Sequence, residues 1–148
     1  MKTINEFFNK LAQQEIQFNE DMRQQRLAEL EALNTDGLSN REIFHAKQNI
    51  ERKYRDMEHY FLLNNISDEV FTRSITKLVN ESIEKRKSQF IKKIETKGGK
   101  IIDATELHIG FNGMVNGFVK CENETLEVNT VPAGGHTIQR FHFRTLIK

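Results

Sequence analysis

The sequence predicts an α+β fold: three long N-terminal helices followed by a four-stranded antiparallel β-meander. Three observations predict it. Apolar residues recur at three- and four-residue steps from Ile4 to about Thr96. Beyond Gly98-Gly99 the period changes to two. Short alternating runs are then separated by turn chemistry, with Asn112-Gly113 as the strongest hairpin signal. The expected division is a helical region over 1–97 and a sheet region over 98–148, forming one continuous domain.

The first helix is expected from Ile4 to about Leu33, along the stripe Ile4, Phe7, Phe8, Leu11, Phe18, Met22, Leu27, Leu30 and Leu33. The stripe weakens at Gln14 and Glu15 and again at Gln24 and Gln25, which predicts partial burial there. Gly37 can end the helix turn, and Ser39-Asn40-Arg41-Glu42 matches a capping box, with Leu38 and Ile43 placed as a hydrophobic staple. The second helix is expected to run to about Leu63 on Ile43, Lys47, Ile50, Tyr54, Met57 and Phe61. A short turn between two long helices predicts an antiparallel hairpin. Ser67 then caps a third helix, with Asp68 and Glu69 in its first turn and Ile66 and Phe71 as a second staple. It continues through Phe71, Ile75, Leu78, Val79, Ile83, Phe90, Ile91 and Ile94, and Gly98-Gly99 terminates it.

In the sheet region the expected strands are Ile101–Phe111, Val115–Cys121, Leu126–Val131 and Thr137–Ile147. The last of these has two unequal faces. Phe141, Phe143, Thr145 and Ile147 alternate with Arg140, His142, Arg144 and Leu146. The second set is a basic row, its members about 7 Å apart. Arginines on a strand are good bidentate ligands for phosphate or carboxylate. Gly134-Gly135-His136 could aim backbone N–H groups at an anion beside them. Against this stands the plain reading of a solvated face, paired to Glu106, Glu124 or Glu127 on neighbouring strands.

Composition narrows the function classes. The formal net charge of the 148-residue chain is +1, so no global basic field calls for nucleic acid. Charge is unevenly spread: Glu15, Glu20, Asp21, Glu29, Glu31 and Asp36 cluster early, and Lys85, Arg86, Lys87, Lys92, Lys93, Lys97 and Lys100 cluster late. These patches can pair with each other or attract outside partners. A single cysteine, Cys121, permits no intramolecular disulfide and fits a reducing cytoplasm. The polar N-terminus does not read as a signal peptide, and no apolar run reaches membrane-spanning length.

His45, His59, His108, His136 and His142 show no metal-ligand spacing, so neither metal nor cofactor is expected. A metal-independent ribonuclease could be assembled from Glu106 or Glu127 as base, His142 or His136 as acid, and Arg140 with Arg144 as phosphate ligands. No spacing fixes that geometry, and no catalytic residue is assigned. A helix of about 30 residues spans about 45 Å, longer than a compact domain of this size is wide. The helices are therefore expected to pair with a second copy or to form an arm that touches a larger partner.

The tail Ala133–Leu146 contains Gly134-Gly135-His136-Thr137-Ile138-Gln139 and then His142 and Arg144, and it follows Gly113-Met114-Val115-Asn116-Gly117. It resembles a Gly-Gly-aromatic-x-Ile-Gln-x-x-His-x-Arg segment of small accessory proteins of phages and plasmids of Gram-positive bacteria, with His136 in place of tyrosine. Some such proteins are anti-CRISPR inhibitors. The resemblance implies a non-enzymatic protein in the cytoplasm of a bacterial host that binds an effector nuclease or its RNA-guided complex. The binding residues expected on this basis are Arg140, His142, Arg144, His136 and Gln139. The alternative is a nucleic-acid-binding phage regulator. The near-neutral charge and the lack of sheet-surface aromatics beside the arginines, with Phe141 and Phe143 on the opposite face, count against it.

Overall fold

The first and third helices pack side by side. The computed structural model describes residues 2–57, 59–110, 113–132 and 143–147. Helix α1 covers Lys2–Glu31, α2 Asn40–Arg52 and α3 Asp68–Gly98. A 3₁₀ turn at Tyr60–Leu63 lies between α2 and α3. The pairing of α1 with α3 is antiparallel. Asn5 accepts from Lys87, Phe8 meets the edge of Phe90 at 5.4 Å, Glu15 pairs with Arg86 at 2.5 Å, and Arg23 pairs with Asp68. Their seam buries Ile4, Leu11, Phe18, Phe71, Ile75, Val79, Ile83 and Ile94.

The expected long second helix is a short one. It ends at Arg52 rather than near Leu63, and none of its side chains is buried. The capping box forms as the sequence indicates: Glu42 N–H donates to Ser39 Oγ and Ser39 N–H to Glu42 Oε1. What stops the helix is packing. Tyr54, Met57 and Leu63 are buried, whereas Phe61, on the same helical stripe, is 68 % exposed. A continuous helix would keep Tyr54, Met57 and Phe61 together on one face. The chain instead turns after Arg52 and passes through His59 in the left-handed region, which brings Leu63 to the core. The expected hairpin of two long helices is replaced by the α1–α3 pair, with α2 touching α1 near its own C-terminal end. There Glu51 meets Arg26, and Lys53 and Tyr54 just beyond meet Glu29.

Along α1, four polar side chains are buried. Of the positions that weaken the apolar stripe, Glu15 is one of them, whereas Gln14 is half-buried and Gln24 and Gln25 are exposed. Glu15, Asn19, Arg23 and Arg26 are each at most 4 % exposed. Each reaches a partner. Arg86 answers Glu15. Arg23 donates twice to Asp68 and once to the Ile66 carbonyl, with its guanidinium 4.8 Å over the Phe71 ring. Arg26 donates to Glu51 and to the Leu63 carbonyl. The expectation of partial burial at Glu15 is corrected, because a buried carboxylate is tolerable once an arginine meets it. The Glu15–Arg86 pair also joins the acidic and basic clusters.

Among the described residues the sheet is antiparallel, with five strands: β1 Ile101–Asp103, β2 Leu107–Ile109, β3 Val115–Cys121, β4 Thr125–Pro132 and β5 Phe143–Ile147. The spatial order is β1-β3-β4-β5, and β2 also pairs with β3. The meander is therefore as expected, except that its first strand is broken in two. Ile101 faces Cys121 and Leu107 faces Gly117, with a register shift and a turn at Ala104 between them. The break brings the Glu106 carbonyl onto the backbone of Gly117, whose φ is +137°. The hairpin after β2 is longer than the expected two residues. Gly110 N–H donates to the Met114 carbonyl, Gly113 N–H to the Gly110 carbonyl, and Gly113 takes φ +83°. Left-handed backbone at the last loop position accommodates this longer turn.

Helix α3 packs on one face of the sheet. Val115, Val119, Cys121, Leu126 and Val128 are buried, and Asn116, Phe118, Lys120 and Glu127 between them are exposed. The helix end is sewn to the β3–β4 turn: Asn123 N–H donates to the Gly98 carbonyl and Glu122 N–H to the Lys100 carbonyl.

Three predictions follow from this packing. A β-carbon at Gly117 overlaps the Glu106 carbonyl oxygen, so Gly117→Ala lowers stability by roughly 2 kcal/mol or more in urea unfolding. Glu51→Ala leaves Arg26 charged and buried; it costs about 3 kcal/mol, and Arg26→Met added to it costs less than the sum of the single changes. Burial, then the hydrogen bond to Glu29, pushes the Tyr54 phenol up to about 12. The neutral phenol is favoured in the fold, so its contribution is complete below the unfolded value of about 10 and is lost as pH rises through 12. Unfolding followed from pH 9 to 12 should show a fall in stability that Tyr54→Phe reduces.

Candidate functional site

The candidate site is the sheet face turned away from the helices. It follows from the period of two: once Val115, Val119, Leu126 and Val128 are buried, the residues between them meet solvent. Across the ladder Phe118 stands opposite Glu127, Asn116 opposite Asn129 and Lys120 opposite Thr125. Asn129 donates to Glu127 at 2.9 Å, holding that carboxylate along its own strand. Phe118 is 49 % exposed, an aromatic ring on an otherwise polar face. Its own N–H donates to the Glu106 carbonyl, so β3 is anchored beneath it. At one edge, Glu106 and His108 approach to 4.0 Å, both largely exposed.

Strand β5 forms the opposite edge among the described residues. Its ladder to β4 sets Phe143 opposite Pro132, Arg144 opposite Val131, Thr145 opposite Thr130, Leu146 opposite Asn129 and Ile147 opposite Val128. Where side chains are described, the alternation is visible: Ile147 packs against the core and Leu146 is 40 % exposed. Of the binding residues expected from the sequence, Arg144 occupies a ladder position in β5. Arg140, His142, His136 and Gln139, and the expected start of the last strand at Thr137, lie outside the described residues.

The remaining candidates divide clearly. Cys121 is buried behind the sheet. Burial, then the Glu95 and Glu124 carboxylates, pushes its thiol up and away from the reactive thiolate. His45 sits on exposed α2 with its ring 5.7 Å from Phe44. Among the described residues no group of three His, Cys, Asp or Glu side chains could hold a metal ion. The ribonuclease constellation has Glu106 and Glu127 on either side of Phe118, one through its carbonyl and one across the ladder; its histidines lie outside the described residues. Phe118 is an exposed aromatic that the expected site residues did not include. It stands on β3 opposite Glu127, and the expectation about aromatics beside Arg140 and His142 falls outside the described residues. The signal for it is the alternation of β3, which puts Phe118 on the face opposite to that of buried Val119.

No helix among the described residues is long and apolar enough to cross a membrane. Comparison with protein-family models, curated proteins and solved structures returned no match.

Proposed function

We propose that this chain is a non-catalytic binding protein of a mobile genetic element that inhibits a host CRISPR effector nuclease by docking on the nuclease or its guide complex. The observation that carries the binding role is the division of the sheet into a packed face and an open one that presents Phe118. An exposed aromatic among polar groups has the composition of an interface anchor with a polar surround. Lys120 on β3 and Arg144 on β5 would add positive charge, and continuation of the β5 alternation would bring His142 and Arg140 into the same row. Gln139 and His136 would extend the contact. The class of target comes from the resemblance of the C-terminal segment to phage and plasmid accessory proteins. Phe44 and Phe61, 57 % and 68 % exposed, offer a second surface on the helical side for the same partner or for another copy of the chain.

One observation favours a second reading, a nucleic-acid-binding regulator. Phe118 with Lys120 two residues on is a stacking ring beside a cation, and base stacking on an aromatic is worth about 1–3 kcal/mol. One experiment separates the two. The protein is co-purified with candidate effectors and added to their cleavage assays, and its affinity for single-stranded RNA and DNA is measured across a salt series. Retention on an effector with loss of cleavage supports inhibition, and Phe118→Ala combined with Arg144→Glu should then weaken it by about thirtyfold or more. Tight binding to naked nucleic acid that falls steeply with salt supports the regulator instead. Failure to bind or protect any effector overturns the first reading.

A further inference from the structure

On the packed side of the sheet a cavity of about 750 Å³ opens between the N-terminal part of α1, the C-terminal half of α3 and strands β3 to β5. Phe7, Phe8, Leu11 and Phe90 supply an apolar floor, with Val115 and Ile147 on the sheet side. Gln89, Thr96 and Thr130 are neutral polar neighbours, and the charged lining is of one sign. Arg86, Lys92 and Lys93 are present and no acidic side chain lines the cavity among the described residues. Lys92 and Lys93 are exposed and have no ion-pair partner among the described residues. Arg86 is a third exposed while it meets Glu15. An apolar cleft of this volume with a few convergent polar groups has the form of a small-ligand site. Unpaired cations at an apolar opening match a molecule that carries an anionic head and a hydrocarbon tail.

We propose that this cleft binds a free long-chain carboxylate, with the tail against Phe7, Phe8, Leu11 and Phe90 and the head between Lys92 and Lys93. The occupant is a single-tailed carboxylate because Phe7, Phe8, Leu11 and Phe90 make a hydrocarbon and aromatic floor and, among the described residues, the charge lining the cleft is confined to α3. The cleft lies on the opposite side of the sheet from Phe118, so this assignment and the partner-binding role stand or fall separately.

The test is calorimetric titration of the full chain with dodecanoate below its micelle concentration, with dodecyltrimethylammonium as the opposite-charge control. Saturable binding at one site is expected for dodecanoate and none for the cation. Lys92→Glu with Lys93→Glu should weaken dodecanoate at least tenfold and admit the cation. Thr96→Trp, an exposed position on the lining of the cleft, should block the carboxylate while far-UV circular dichroism stays that of the wild type. No saturable dodecanoate binding, equal binding of the two amphiphiles, or unchanged affinity in both variants would overturn the assignment.

Discussion

A row of polar side chains buried along one helix organises the helical part of this protein. Glu15, Asn19, Arg23 and Arg26 lie on the inner side of α1, where a charge without a partner costs several kcal/mol. Asn19 donates to the Glu15 carbonyl within α1, and the partners of Glu15, Arg23 and Arg26 arrive from separate parts of the chain. Arg86 comes from the middle of α3, Asp68 from its first turn, Glu51 from α2, and the Ile66 and Leu63 carbonyls from the segment between. A purely apolar seam could slide by a turn with modest loss. This one has a register, because each shift would strand a buried guanidinium or carboxylate. The same pairing explains why α3 starts where it does: Ser67 caps it through Val70 N–H while Asp68 is held by Arg23.

The sheet depends on a different constraint, coverage by the described residues on one side only. Helix α3 ends against Cys121 and Leu126, and the hydrogen bonds from Glu122 and Asn123 fix the β3–β4 turn to that end. Alternation then decides which residues are structural and which are available. Val119 and Phe118 are neighbours in sequence and opposite in role, one fully buried and one half exposed.

Local chemistry made much of this legible. The capping box at Ser39, the cap at Ser67 and the glycine end of α3 are short-range signals, satisfied within four residues, and they appear where the sequence puts them. The α+β division was legible because the hydrophobic period changes at one place. The second helix was misjudged because Tyr54, Met57 and Phe61 keep helical spacing, while burial of Leu63 against distant residues overrides it. Glu15 reads as a weak point in a stripe, since no local pattern reveals that Arg86 waits 71 residues away. The break in the first strand depends on a carbonyl meeting Gly117, which is also a contact between remote positions. Of the candidate site, the open face was implicit in the alternation of β3. The basic row of the last strand rests on alternation and resemblance.

The lack of any buried side chain in α2 has a consequence for the energetic landscape of the native state. Cooperative opening of a segment costs what its buried contacts are worth. The α1–α3 seam and the inner sheet face belong to the most protected tier, and α2 belongs to a shallower one, joined to it through Glu51, Lys53 and Tyr54. Its amides therefore exchange with solvent through local release rather than global unfolding. The molecule carries a gradient of protection that falls from the paired long helices outward to the short one.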